Sequence, residues 1–436
     1  MKLSKLALVA AIACGVHAGN VFADQANDIQ LVSCTAAACD CGQPVCGCEV
    51  ATDCCDNGCA DGCDSGCAVG CDSGCDSGCA LGGCLTGDCC IEDPWTLFGE
   101  HCGWSAGGWL QMGYHSAGNG MFNNRPDEYN LHQAWLYAEK AIDTSCGFDI
   151  GGRIDYMYGI DSNDTQAFGT DPRGWDNDWD NGTGDAYGHA LPQLYVEAGY
   201  GDLSVKAGHF YTIIGWEVVT APDNFFYSHA YTMYNSEPFT HTGVLATYNV
   251  NDNVTAYGGY TMGWDSGFDD NGDNFLGGLS VSLSDALTVT YATTIGKFGA
   301  LPLGTPEQGY MHSIVADLAL SDNLQYIFQS DLLDTDDGAG TTVRETFGIN
   351  QYLIYNVNDC LAYGARFEWY NQEGVYSAVG TDDDIYALTL GVNYKPHGNV
   401  IVRPEIRWDW DDAQVADLDD GDDNQTTFGI DTIFLF

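Results

Sequence analysis

The segment NVIVRPEIRWDW alternates strictly along its length. Val400, Val402, Pro404, Ile406, Trp408 and Trp410 fall on one face, and Arg403, Glu405, Arg407 and Asp409 on the other. FDIGGRIDYMY repeats the pattern, with Phe148, Ile150, Ile154, Tyr156 and Tyr158 opposite Asp149, Arg153 and Asp155. ALTVTYATTIG, DCLAYGARFEWY, IYALTLGVNYK and TFGIDTIFLF do the same. A period of two predicts strands, because successive side chains point to opposite faces. Soluble strands usually run about five or six residues; these runs of about ten match a tilted strand that crosses a bilayer.

The connections sharpen this reading. The pattern predicts 16 strands between Trp104 and Phe436, and the gaps between them alternate short and long. Short ones include Gly201-Asp202, Asn251-Asp252, Ser284-Asp285, Ser321-Asp322, Asn358-Asp359 and Pro396 to Gly398. Long ones are 116–128, 160–188, 212–239, 265–273, 297–308, 334–342, 371–383 and 411–425. Short turns on one rim and long loops on the other define a transmembrane antiparallel outer-membrane β-barrel, with both chain ends on the short-turn, periplasmic side. A soluble sandwich accounts poorly for a row of four charges opposite an unbroken aromatic and aliphatic row. Lipid outside and water inside account for it directly. At the C-terminus, Phe428, Ile430, Phe434 and Phe436 share one parity and form a candidate insertion signal.

The N-terminal part has another character. MKLSKLALVAAIACGVHAGNVFADQ carries two lysines, an apolar run from Leu6 to Ala13 and small residues before Asp24, the layout of a secretory signal peptide over 1–23. Residues 24–93 form a Cys-rich low-complexity segment, with 16 of the 20 cysteines between Cys34 and Cys90. Cys55, Cys59, Cys63, Cys67, Cys71, Cys75 and Cys79 recur every fourth residue, and Cys84 follows. Little else there is apolar, so no ordinary core is available. Paired C-x-x-C knuckles with His partners are missing, which leaves disulfides or a metallothionein-like metal store. An exported, oxidising setting favours disulfides, either within this periplasm-facing tail or to neighbouring envelope proteins. Residues 94–436 are the barrel domain.

Formal net charge is −49, from 62 acidic and 13 basic residues, which excludes a nucleic-acid partner. Seven Asp lie in 160–188 and seven in 411–425, an acidic vestibule that concentrates cations. Asp176, Asp178 and Asp180 have the spacing of the first half of an EF-hand loop. Asn181 stands where Gly belongs and no Glu follows, so solvated acidic loops compete with loop Ca²⁺. No other cofactor is expected.

PWTLFG (94–99), GGWLQMGYHS (107–116) and VKAGHFYTIIGWEVVTAPDNFFYSHAYTMYNSEPFTHTGVL (205–245) resemble the β-barrel porin-2 family, the OmpL-like outer-membrane porins. The resemblance covers about residues 94–436 and implies pore formation, with no solute specified. The Cys-rich segment lies outside it.

Sixteen strands enclose a water-filled channel for passive diffusion of small hydrophilic solutes. The loop 212–239 is too apolar and aromatic to extend into solvent, and the expectation is that it folds inward as a constriction. Glu217, Asp223 and Glu237 are its acids. Arg366, Lys395, Arg403 and Arg407, with Arg153 and Lys206 elsewhere, have inward parity and face it as a candidate eyelet. Inward charges solvated in any polar lumen are the plainer alternative. Trp104, Trp109, Trp135 and Trp369 fit either a saccharide track or interfacial girdles. An enzyme is not expected: His312 and Ser313 are adjacent in sequence and therefore on opposite faces. A barrel-anchored structural envelope protein, cross-linked through its tail, is the competing function. Partners follow as outer-membrane lipid, small solutes and a homo-oligomer, by analogy a trimer, with Gln351 as a polar break in a lipid-facing row.

Overall fold

The computed structural model describes residues 91, 94–101, 103–167, 175–177, 179, 186–268, 272–301, 305–373, 383–411, 418 and 423–436. The signal-peptide and Cys-rich readings, with Cys55, Cys59, Cys63, Cys67, Cys71, Cys75, Cys79 and Cys84, lie outside these residues.

Alternating sequence gives long antiparallel strands. In chain order they are β1 (Trp104–His115), β2 (Tyr129–Lys140), β3 (Phe148–Gly159), β4 (Gly188–Tyr200), β5 (Leu203–Tyr211), β6 (Thr240–Asn251), β7 (Val254–Thr261) and β8 (Asp273–Ser284). They continue as β9 (Leu287–Leu301), β10 (Thr305–Ser321), β11 (Leu324–Asp336), β12 (Thr342–Asn358), β13 (Leu361–Glu373), β14 (Asp383–His397), β15 (Val400–Asp411) and β16 (Asn424–Leu435). A two-residue strand, Glu100–His101, pairs with the start of β1. Each of the sixteen pairs with its sequence neighbours, and β16 returns to β1 with Gly429 opposite His115 and Leu435 opposite Trp109. The sheet is therefore closed. The main chain of Phe436 completes the seam, exchanging hydrogen bonds with Gly108 at 2.9 and 3.0 Å.

Burial is inverted relative to a water-soluble protein. Arg403, Glu405, Arg407, Asp409 and Asp431 are buried, whereas Phe148, Tyr200 and Leu283 are exposed by 70%, 70% and 63%. The exposed outer face is ordered by height. Phe148, Tyr200, Tyr248, Tyr355 and Tyr363 stand near the short-turn ends of their strands, and Tyr129, Tyr260, Phe275, Tyr386 and Trp410 near the long-loop ends. Leu136, Ile154, Leu194, Val244, Ile295, Leu353 and Leu390 occupy the band between. Aromatic girdles flanking an aliphatic band are what a bilayer's two interfaces and hydrocarbon layer select. Phe428 and Phe434 lie on this outer row with Phe436 just beyond it; Phe434 packs edge-on against Trp95 at 6.2 Å.

Two loops differ from expectation. The expected loops 297–308 and 334–342 are shortened by strand, since β9 runs to Leu301, β10 starts at Thr305, β11 reaches Asp336 and β12 starts at Thr342. Gly296, Gly299 and Gly309 lie within these strands, with a bulge between Lys297 and Gly299 and positive φ of 142°, 124° and 158°. Phe298 packs on Trp264 at 5.0 Å and anchors the extension.

Candidate functional site

Between β5 and β6, residues 212–239 do not continue outward. The segment includes a 3₁₀ turn, Ala221–Asp223, and a short helix, α2, Tyr231–Ser236, the other short helix being α1, Ser162–Thr165. Most of it is buried, and an irregular buried segment must find partners for its backbone groups. The inner wall of β13 and β15 supplies them from charged side chains. The Glu405 carboxylate accepts from the amides of Tyr227 and Ser228 at 2.9 and 3.1 Å. Glu368 accepts from the amides of Tyr231 and Thr232 at 2.8 and 2.7 Å, and from the Thr232 hydroxyl at 2.7 Å.

The arginines bind the opposite polarity. Arg403 donates to the carbonyls of Ala221, Asn224 and Phe226 at 2.8, 2.7 and 3.2 Å and is held by Asp431. Arg407 donates to the His229 carbonyl at 2.5 Å while paired to Asp409 at 2.8 Å. Arg366 binds the Ser228 carbonyl at 2.7 Å and pairs with Glu217 of the segment at 2.6 Å. On β1 and β2, His115 stacks on Tyr227 at 3.9 Å, His132 bonds the Tyr227 hydroxyl at 2.5 Å, and Gln133 donates to the Val219 carbonyl at 2.9 Å.

The wall also makes room. A Cβ added at Gly113 or Gly429 would press on Tyr227, at Gly348 on Thr232, at Gly364 on Phe225 and at Gly391 on Phe226. Five inward glycines on β1, β12, β13, β14 and β16 thus form the seat for one segment.

Residues 103–436 match the family described as "Putative beta-barrel porin-2, OmpL-like". The chain belongs to this family. No curated protein matches it in sequence. Among solved structures it is similar to the trimer form of OmpT, an outer membrane protein of Vibrio cholerae, at 14% identity and TM-score 0.51, covering 76% of this chain and 99% of that one. It is also similar to the outer membrane channel DcaP of Acinetobacter baumannii, at 10% identity and TM-score 0.52, covering 78% and 100%. An anion-selective porin from Comamonas acidovorans gives 12% identity and TM-score 0.51, covering 76% and 99%. These likenesses show the fold. The protein is an outer-membrane porin by family and architecture.

The positions expected to form one eyelet separate into three groups in this porin. Arg366, Arg403 and Arg407 are 1%, 2% and 1% exposed, so they lie beneath the segment and bind it rather than facing a water path. Lys395 is exposed at the short-turn end of β14, where strand pairing breaks register, and its amide donates to the Cys360 carbonyl. It does not join the others. Arg153 and Lys206 remain on the facing wall: Arg153 pairs with Glu139 at 3.0 Å and Asp155 at 2.6 Å, and Lys206 lies over the Tyr195 ring at 4.3 Å.

Of the segment's acids, Glu217 is locked to Arg366. Glu237 accepts from Gln329 at 2.6 Å, and Gln329 also donates to Asp331. Asp223 alone of the three is exposed, within electrostatic reach of Arg153. Glu368, Glu405, Gln133 and Tyr227 escaped the sequence reading. Glu405 shares a parity row with Arg403 and Arg407, but nothing in that row says that its partner is backbone from another part of the chain.

Asp176 uses both carboxylate oxygens on main chain, accepting from Ala167 at 3.0 Å and Leu191 at 2.7 Å. Asp178 and Asp180 lie outside the described residues. Among the described residues no group of three or more His, Cys, Asp or Glu is placed to hold a metal ion. His312 faces outward against the Tyr291 hydroxyl while Ser313 is buried on the inner face. Gln351 accepts from Tyr326 at 2.9 Å on the outer surface.

Proposed function

We propose that the barrel is a channel for passive diffusion of small hydrophilic solutes, with 212–239 as its constriction and acidic outer loops as a cation-enriching vestibule. The observation that carries this is the exposed Asp223 on a wall-anchored segment, with Arg153 and Lys206 on the facing wall. A fixed segment narrows the lumen permanently, and charges of both signs beside the remaining water orient what passes. Away from the segment, the inner wall carries paired hydroxyls, Ser280 with Thr290 at 3.0 Å and Ser282 with Thr288 at 3.2 Å, and Gln325 bonded to Asp317. These half-exposed groups suit a hydrated solute with no single preferred chemistry.

Planar-bilayer recording of the purified protein tests the proposal. Stepwise currents are expected, with a reversal potential under a salt gradient that favours cations and shifts toward anions in Asp223→Asn. A barrel that inserts and passes no current would overturn it. A homotrimer is the assembly we infer, on the analogy of the trimeric OmpT form. Loop Ca²⁺ at Asp178 and Asp180 enters this proposal only as a modulator of the vestibule, tested by current with and without chelator.

One observation favours a second role, as a cross-linked envelope component. Cys360, in the short turn between β12 and β13, is disulfide-bonded and packs against Ile91, next to the Cys-rich segment.

A further inference from the structure

Above the anchored segment is a cavity of about 220 Å³, lined by Phe122, Asn124, Arg125, Ile160, Asn163 and Asp164. Side chains of opposite charge line it. Asp164, on α1, is buried and bonded to neutral donors: the Tyr234 hydroxyl at 2.7 Å and the Asn124 amide at 3.4 Å. No cation pairs with it among the described residues. Arg125 is 39% exposed and is engaged by Glu128 at 3.7 Å, a distance too long for a good hydrogen bond. Phe122 and Ile160 supply an apolar wall, and Asn124 and Asn163 carry amides that donate and accept. The volume is below the roughly 300 Å³ at which drug-sized sites begin, so an occupant has few heavy atoms.

We infer that this cavity binds a small zwitterion of amino-acid size, its ammonium on Asp164, its carboxylate on Arg125 and a short apolar side chain against Phe122 and Ile160. The arrangement meets two needs at once. A buried carboxylate short of a counter-cation gains one, and a half-exposed guanidinium gains an anion that matches its planar fork. Burial, with Asp161 nearby, pushes the Asp164 carboxyl up to about 7, the behaviour of a group lacking such a cation. The cavity touches the constriction through Tyr234, which donates to Asp164, and through Phe122, packed on His229 at 4.6 Å. A bound zwitterion would thus wait directly over the narrow part of the channel. In that sense the inference deepens the channel proposal, but binding is measurable without current.

Calorimetry of the full-length protein in detergent, titrated with L-alanine, tests it. Saturable binding is expected, and Asp164→Asn and Arg125→Gln should each weaken it by roughly tenfold or more, the usual effect of removing one charge-assisted contact. Ethanolamine and acetate, each carrying one of the two charges, should bind far more weakly than alanine. Absence of alanine binding to a barrel that conducts would overturn the inference and leave the channel standing. Equal binding of ethanolamine, or wild-type affinity in both variants, would also overturn it. Alanine binding to a barrel that passes no current would support the site and remove the channel.

Discussion

Arg403 spends its guanidinium on five bonds, two to Asp431 and three to carbonyls of the inward segment. Removing it would leave a buried carboxylate with only the Gln111 amide, at 2.8 Å, and three unpaired carbonyls. Breaking one side of a buried pair costs about 3–5 kcal/mol. Arg403→Met should therefore lower the temperature at which the folded form converts to the unfolded band on a semi-native gel; an unchanged transition would contradict the anchoring role. Three loop carboxylates give a pH dependence. Burial raises Asp164 and Asp265 from 3.8 to about 7 and Asp176 to about 6. Each binds its proton more tightly folded than unfolded, so its contribution is greatest below 3.8 and declines as pH rises through 6 to 7. Proteolysis of the outer loops, normalised to an unstructured control substrate, should be slower at pH 5 than at pH 8. Equal rates would contradict this.

Strands were the legible elements. In β15 the charges at 403, 405, 407 and 409 are buried and their neighbours at 404, 406 and 408 less so, as period two requires. What the alternation does not contain is the destination of an inward charge. Parity places Arg403 inside; whether it meets water or a folded segment depends on pairing between positions 182 residues apart. The glycine seat was equally hidden, because Gly113, Gly348, Gly364, Gly391 and Gly429 lie on five strands and share nothing in the linear order. The β9–β10 hairpin extends past its expected ends through a bulge between Lys297 and Gly299, which breaks the alternation that marks a strand. The seat leads to a direct test. Gly364→Val would collide with Phe225. It should displace the segment and raise single-channel conductance relative to wild type, with barrel formation intact by circular dichroism; an unchanged conductance would mean the segment does not limit flow.

At the scale of the molecule, closure and charge set the behaviour. Sixteen paired strands leave no open edge to aggregate through, and the apolar surface is spent on lipid. The net charge of −49 has no such outlet, and on the proposed vestibule reading it would raise the cation concentration around the exposed rims. High salt should therefore reduce cation preference, as measured by reversal potentials at 0.1 M and at about 1 M, where the screening length falls to about 3 Å. The Cys-rich tail makes its own prediction. Non-reducing gels of envelope preparations should show high-mass species that collapse on reduction and vanish when residues 24–93 are deleted; a monomer under all conditions would remove the cross-linking role.

The anchored segment also bears on assembly in time. Glu217 is synthesised 149 residues before Arg366, and Ala221 is synthesised 182 residues before Arg403. Until β13 and β15 are in place, the segment has the contacts of β1 and β2 but lacks the carboxylates and arginines that hold its backbone. Contacts of such long range form late and slowly. If 212–239 is the constriction proposed above, a nascent barrel would pass through a stage with its bore less obstructed, and the narrowing of the passage would mark the end of construction.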